Sequence, residues 1–108
     1  MSSRRILGVD PGQSGGLALL HGGRLVSGTR MPVIKIRGKA LLDARAVVGW
    51  WGDCLAPFDV AVIESVHAMP GQGVSSSFQF GRMLGGIEAL VYSYGLPVHY
   101  VTPAAWKK

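Results

Sequence analysis

Two carboxylates stand out by where they fall. Asp10 closes the run Ile6-Leu7-Gly8-Val9 and precedes Pro11-Gly12, and Glu64 closes the run Val60-Ala61-Val62-Ile63. Both runs are short, apolar and rich in β-branched residues, the pattern of a buried strand. A carboxylate on the last residue of a central strand is held by the sheet and faces the loops where ligands approach. Taken singly, each residue has a plainer reading. An Asp before Pro-Gly also starts a turn, and a Glu where a strand leaves its sheet is also simply solvated. If the two strands are central and adjacent, both carboxylates emerge at one sheet edge. Such a pair suits Mg²⁺, which takes hard oxygen ligands and shares its shell with water and phosphate. Two-metal phosphodiester hydrolysis needs acids of this kind, with the ions about 3.5–4 Å apart.

The surrounding residues extend the same chemistry. Gly15-Gly16 let backbone come close to a phosphate. After Glu64, the segment Met69-Pro70-Gly71-Gln72-Gly73-Val74-Ser75-Ser76-Ser77 offers an amide and hydroxyls for a phosphate backbone. Gln72, Ser75 and Ser76 are its candidate contacts, while Ser77 reads more simply as a helix cap. The segment lacks the Gly-Lys-Ser/Thr ending of a P-loop. The histidines have no metal-ligand spacing; His67 alone sits beside the site, where it could stack on a base or touch phosphate. Lys35, Arg37, Lys39, Lys107 and Lys108 are candidate phosphate contacts, although basic loop residues are usually just solvated.

The elements that must position these groups follow from apolar patterning. Arg4 to Asp10, Gly16 to Leu20 and Leu25 to Thr29 read as three antiparallel strands, the last two joined by a tight turn at Gly22-Gly23. Residues 31–39 read as a basic loop. A helix is expected from Ala40 to Leu55, a fourth strand from Asp59 to Glu64, and a loop from Ser65 to Ser77. A second helix from Phe78 to Tyr94 places Phe80, Leu84, Ile87, Val91 and Tyr94 on one face, with Gly81 and Gly85 four apart. Pro97 to Val101 makes a fifth strand, and Thr102-Pro103 opens a helix. The expected architecture is an α/β mixed five-stranded sheet, order 3-2-1-4-5, flanked by helices. Trp50 and Trp51 point about 100° apart on their helix, which leaves one of them for a partner surface.

Composition bounds the rest. The 108 residues form one domain at most, and 48% hydrophobic against 16% charged is a folding composition. One cysteine excludes an intramolecular disulfide framework and a Cys-based zinc site. Asp10 and Pro11 interrupt the N-terminal apolar stretch too early for a signal peptide, and no apolar run reaches the ~20 residues of a membrane span. A cytoplasmic protein is expected. The net charge of +5 is unevenly placed: residues 1–45 carry eight basic and two acidic groups, residues 46–106 one basic and four acidic.

Ile6-Leu7-Gly8-Val9-Asp10-Pro11-Gly12 with its following hairpin, Val62-Ile63-Glu64, the Gly-containing helix, Pro97-Val98 and Thr102-Pro103-Ala104-Ala105-Trp106-Lys107-Lys108 resemble the RuvC Holliday junction resolvases. The segment His67 to Phe78 is similar to the phage and prophage branch of that family. The resemblance spans nearly the whole chain. It implies a ribonuclease H-like fold and a Mg²⁺- or Mn²⁺-dependent endonuclease that cuts four-way or branched DNA as a homodimer. By the same resemblance Asp10 and Glu64 are metal-binding catalytic acids, and the post-Glu64 loop reaches into the junction. Phe80, Gly81, Leu84 and Gly85 then lie at the dimer interface. Members of the family continue into a last helix with two more acids, whereas here no Asp or Glu follows Glu88. Glu88 itself falls beside Ile87, away from the expected strand ends. The domain, residues 1–108, is therefore expected to be C-terminally incomplete, with weak Mg²⁺ binding and little cleavage of its own.

Two other readings stand beside this one. A non-catalytic DNA-binding relative on the same fold would bind through its positive charge alone. A nucleotide-binding fragment of actin-like or sugar-kinase type opens with a similar Gly-x-Asp-x-Gly strand, but the post-Glu64 loop and the Thr102–Lys108 segment fit it poorly.

Overall fold

The structure is a computed structural model that describes residues 4–12, 14–54, 57–65 and 73–102. In chain order the elements are β1 (Arg5–Asp10), β2 (Gly16–His21), β3 (Arg24–Arg30), β4 (Val33–Ile36), β5 (Lys39–Leu42), α1 (Ala44–Asp53), β6 (Val60–Glu64), α2 (Val74–Ser93) and β7 (Val98–Val101). Five of the strands form one mixed sheet in the order β3-β2-β1-β6-β7, and β4-β5 form a separate two-stranded ribbon. The expected order 3-2-1-4-5 is corrected accordingly. The two strands beside β1 are the sixth and seventh of the chain, because residues expected to be a basic loop and the start of a helix make a hairpin instead.

β1, β2 and β3 are an antiparallel meander, and β6 and β7 add in parallel. The turn between β2 and β3 is Gly22-Gly23 with φ of 61° and 80°, the left-handed pair that a two-residue hairpin requires. Strand alternation then sorts the side chains. Leu7 and Val9 register with Leu19 and Leu17 on one side and with Ala61 and Ile63 on the other. These six are buried together under α1 and α2, against Val47, Trp51, Met83, Ile87 and Val91. Ile6, Gly8 and Asp10 therefore point to the opposite face, as do Val60, Val62 and Glu64.

Two helix starts differ from expectation, each for a local reason. α1 starts at Ala44 rather than Ala40, because the Asp43 carboxylate accepts the Ala46 N–H at 3.1 Å and caps the helix there. α2 starts at Val74 rather than Phe78. Its N-cap is Gly73, and the Ser77 N–H already donates to the Gly73 carbonyl at 3.0 Å, so Ser77 lies inside the first turn. The tryptophans diverge as expected, but neither stands free. Trp51 is buried and stacks on Tyr94 at 4.6 Å, while half-buried Trp50 donates to Ser27 Oγ at 3.3 Å and stacks on Phe58 at 6.2 Å.

Candidate functional site

β1 and β6 lie side by side in parallel, with Val9 paired to Ile63 as the last rung. Asp10 and Glu64 are the next residues on each strand, and both point away from the core. Adjacent strands are about 4.7–4.9 Å apart, so the two carboxylates leave the sheet at one edge, as the sequence predicted. Asp10 is exposed and Glu64 half-buried. The register that levels them is pinned at the far end of the strands. There the Arg5 N–H donates to Asp59 Oδ2 at 2.8 Å and the Asp59 N–H donates back to the Arg5 carbonyl at 2.7 Å. Arg5 and Asp59 each precede their acidic counterparts by five residues. β7 holds Glu64 from the other side, pairing it with Val101, while the Ser65 N–H donates to the Val101 carbonyl at 2.6 Å.

The glycines after Asp10 serve the turn itself. A Cβ on Gly15 would overlap the Asp10 carbonyl, and one on Gly16 would come within 2.8 Å of the Thr29 carbonyl oxygen. The Gly15 N–H donates to the Gly12 carbonyl at 3.1 Å, and the Met31 N–H donates to the Gly15 carbonyl at 3.0 Å. The close approach expected toward a phosphate is thus made, at these two positions, toward the chain's own backbone. Gly12 has φ of 104° and lies against Phe80, whose Cε1 is 3.3 Å from where a Cβ would stand.

Phe80 leads from the carboxylate edge to a hollow of about 310 Å³ lined by Ala40, Ser75, Ser76, Gln79, Phe80 and Met83. Ser75 and Ser76 are exposed there, on the first turn of α2. Lys35, Arg37 and Lys39 are exposed on the β4-β5 ribbon just beyond. His67, Gln72, Lys107 and Lys108 lie outside the described residues, as does the helix expected after Thr102. Of the residues assigned to a subunit interface, Gly81 and Gly85 are exposed with open space around them, while Phe80 and Leu84 are half-buried. The close glycine contact of α2 is made elsewhere: a Cβ on Gly86 would stand 3.1 Å from Leu42 Cδ2.

Sequence reasoning missed a surface network. The Tyr100 hydroxyl donates to Glu88 Oε2 at 2.6 Å and lies 3.2 Å from the Tyr92 hydroxyl. The bond to Glu88, with lesser help from Tyr92, pushes the Tyr100 phenol well above its ordinary range. Glu88 is therefore committed to β7, in the second half of α2. Its register partner could not be read from the helix pattern alone. At the opposite end of the sheet, Arg5 Nη2 donates to the Cys54 carbonyl at 2.8 Å, and burial pushes the Cys54 thiol up. A larger hollow of about 430 Å³, lined by Arg4, Asp59, Val60, Pro97 and His99, also lies at that end, remote from Asp10 and Glu64.

Carboxylates are the hard oxygen donors that divalent ions such as Mg²⁺ take, and Asp10 and Glu64 stand at neighbouring strand ends. Among the described residues no group of three or more His, Cys, Asp or Glu comes together, so a two-ion set of donors is not completed by them. Among the same residues, no helix is long and apolar enough to cross a membrane.

No family model matches the chain, and no curated protein matches it. Solved structures do. Similarity to the T. thermophilus RuvC in complex with Holliday junction substrate reaches a TM-score of 0.63 at 18% identity, covering 94% of this chain and 66% of that one. Similarity to the Thermus thermophilus RuvC structure reaches 0.57 at 19% identity, covering 92% and 64%. The chain thus spans about two thirds of the length of these neighbours. Its meander, parallel extension and flanking helices share the fold of these RuvC structures.

Proposed function

We propose that this chain is the core of a structure-selective endodeoxyribonuclease that binds four-way or branched DNA as a homodimer and hydrolyses phosphodiesters with Mg²⁺ or Mn²⁺. The observation that carries the reading is the placement of Asp10 and Glu64 at neighbouring strand ends, one residue beyond the Val9–Ile63 rung. The fold adds support, since it is shared with a protein solved on a Holliday junction. Asp10 and Glu64 are the metal-binding, catalytic acids. A divalent ion bound there supplies positive charge to a phosphoryl oxygen and acidity to a bound water. The chain's own work is positional. The Gly12–Gly15 turn fixes Asp10, β7 fixes Glu64, and the Arg5–Asp59 exchange keeps the two level. His67, Gln72, Ser75 and Ser76 contact the DNA near the cut, and Lys35, Arg37, Lys39, Lys107 and Lys108 contact phosphates. The dimer forms on α2, whose outer face carries Val74, Phe78, Gly81, Gly85 and Ala89 at steps of three and four, with Val74 87% and Phe78 62% exposed.

A second reading, a relative that binds branched DNA without cutting it, is favoured by one observation. The described residues bring two acids to the edge, and a two-ion clamp needs more donors. A four-way junction and a linear duplex incubated with the protein and Mg²⁺ or Mn²⁺ separate the readings. The expected outcome is tighter binding of the junction with little or no cleavage, since the described residues complete no two-ion donor set. Robust paired nicks that vanish in Asp10→Asn would reject the non-cutting reading. Equal affinity for junction and duplex would reject branched-DNA recognition altogether.

A further inference from the structure

The β4-β5 ribbon has no partner in the five-stranded sheet. Its stem is held firmly: the Asp43 N–H donates to the Pro32 carbonyl at 2.9 Å, and Leu42 packs on Gly86 of α2. Its outer part is bare, since every residue from Val33 to Lys39 is exposed. The register pairs Lys35 with Ala40 and Ile36 with Lys39 around the two-residue turn Arg37-Gly38, whose φ values are 52° and 77°. Alternation puts Lys35 on the ribbon face shared with Ala40 and Leu42, the face that meets α2. Lys39 falls on the other face and Arg37 at the tip. No acidic residue occurs between Met31 and Leu42.

Among the described residues Arg37 alone is a non-glycine residue with positive φ. Such a turn favours Asn or Gly at this position, and a long cation is held there against backbone preference. The ribbon also adjoins the carboxylate edge. Gly12 touches Phe80, and Phe80 shares a hollow with Ala40 at the ribbon's base.

Resting on the branched-DNA reading above, we propose that this ribbon enters a groove of one duplex arm tip first, with Arg37 leading and Lys35 and Lys39 each reaching one of the flanking phosphate strands. A major groove about 12 Å wide admits a two-stranded ribbon. A ribbon lying flat along one strand would use the cations of one face only, whereas these stand on both faces and at the apex. A second copy of the chain is disfavoured as occupant, because every charged group that two such ribbons present to each other is a cation.

Salt titrations of junction binding by the full chain test this, with Arg37→Asn, Lys35→Gln and Lys39→Gln compared with the unsubstituted protein. Each variant should lower the slope of log affinity against log salt by ~0.9 for each ribbon engaged, which is ~8-fold weaker binding per ribbon at 0.1 M salt. Arg37→Asn should melt at the same temperature or higher, since Asn tolerates positive φ. Arg37→Asn or Lys39→Gln binding with unchanged slope and affinity would overturn the proposal, as would an effect confined to Lys35→Gln. Unchanged DNA binding with loss of the dimer would assign the ribbon to a second copy and equally overturn it. Should Arg37→Asn fold poorly, the double variant Lys35→Gln/Lys39→Gln leaves the turn intact and should lose ~1.8 of the slope for each ribbon engaged. An unsubstituted protein that binds no DNA would instead overturn the branched-DNA reading itself.

Discussion

Asp10 is placed by residues that have no side chain. Gly15 sits where a Cβ would overlap the Asp10 carbonyl, so Gly15→Ala must push the end of β1 aside. Overpacking of this kind costs ~1–3 kcal/mol. Gly15→Ala should therefore unfold at a lower denaturant midpoint and bind divalent ions more weakly, whereas alanine at solvent-facing Gly49, with open space around it, should do neither. At the other acidic position, Glu88 is taken up by Tyr100. That hydrogen bond raises the Tyr100 pKa in the folded state above its unfolded value of about 10. Its stabilising contribution is complete below about pH 10 and is lost as pH rises toward the folded-state value. In spectrophotometric titration the phenolate signal removed by Tyr100→Phe should appear above the range of free tyrosine, and Glu88→Gln should bring it down. A Tyr100 signal at the ordinary position would contradict the bond.

α2 is where element and assembly can be told apart. Gly81 and Gly85 face open space within the chain, so alanine at either position should stabilise the helix by up to ~1 kcal/mol. If a second subunit packs on that face, the same substitutions should weaken the dimer. Melting temperature and sedimentation of Gly81→Ala/Gly85→Ala should then move in opposite senses; a stabilised variant with an unchanged dimer would remove α2 from the interface. α1 offers a simpler check, since Asp43→Ala deletes its cap and should cost ~1 kcal/mol. These elements also show what the sequence could reveal. The five sheet strands were legible because apolar runs, most of them with β-branched residues, sit between glycine and proline turns, and Gly22-Gly23 names its hairpin outright. The β4-β5 hairpin was not, because Arg37-Gly38 puts an arginine where turn chemistry calls for Asn or Gly. Leu42 also keeps helical spacing with Ala46, which drew the helix four residues too far back, although Asp43 was the visible cap. The start of α2 was hidden by Ser75, Ser76 and Ser77, residues that favour loops yet are overridden here by the packing of Phe80 and Met83.

At the scale of the molecule, the fold turns an uneven charge distribution into geometry. The acids of the later half include Glu64, which β6 delivers beside Asp10, and the basic first half supplies the ribbon that stands next to that edge. The candidate site was legible as two strand ends; that they are level was not, because it depends on the Arg5–Asp59 exchange across β1 and β6. Asp59→Ala should thus loosen the pairing of the two strands and weaken divalent-ion binding without removing either ligand, measurable by amide exchange in β6 beside ion titration. The most direct measurement is the uptake of Mn²⁺ on a four-way junction, followed by the loss of free-ion signal in electron paramagnetic resonance, for the unsubstituted protein, Asp10→Asn and Glu64→Gln. The expected result is ion uptake by the complex that falls at least tenfold in either variant while the junction stays bound. Equal uptake by all three proteins would contradict a metal site built from Asp10 and Glu64.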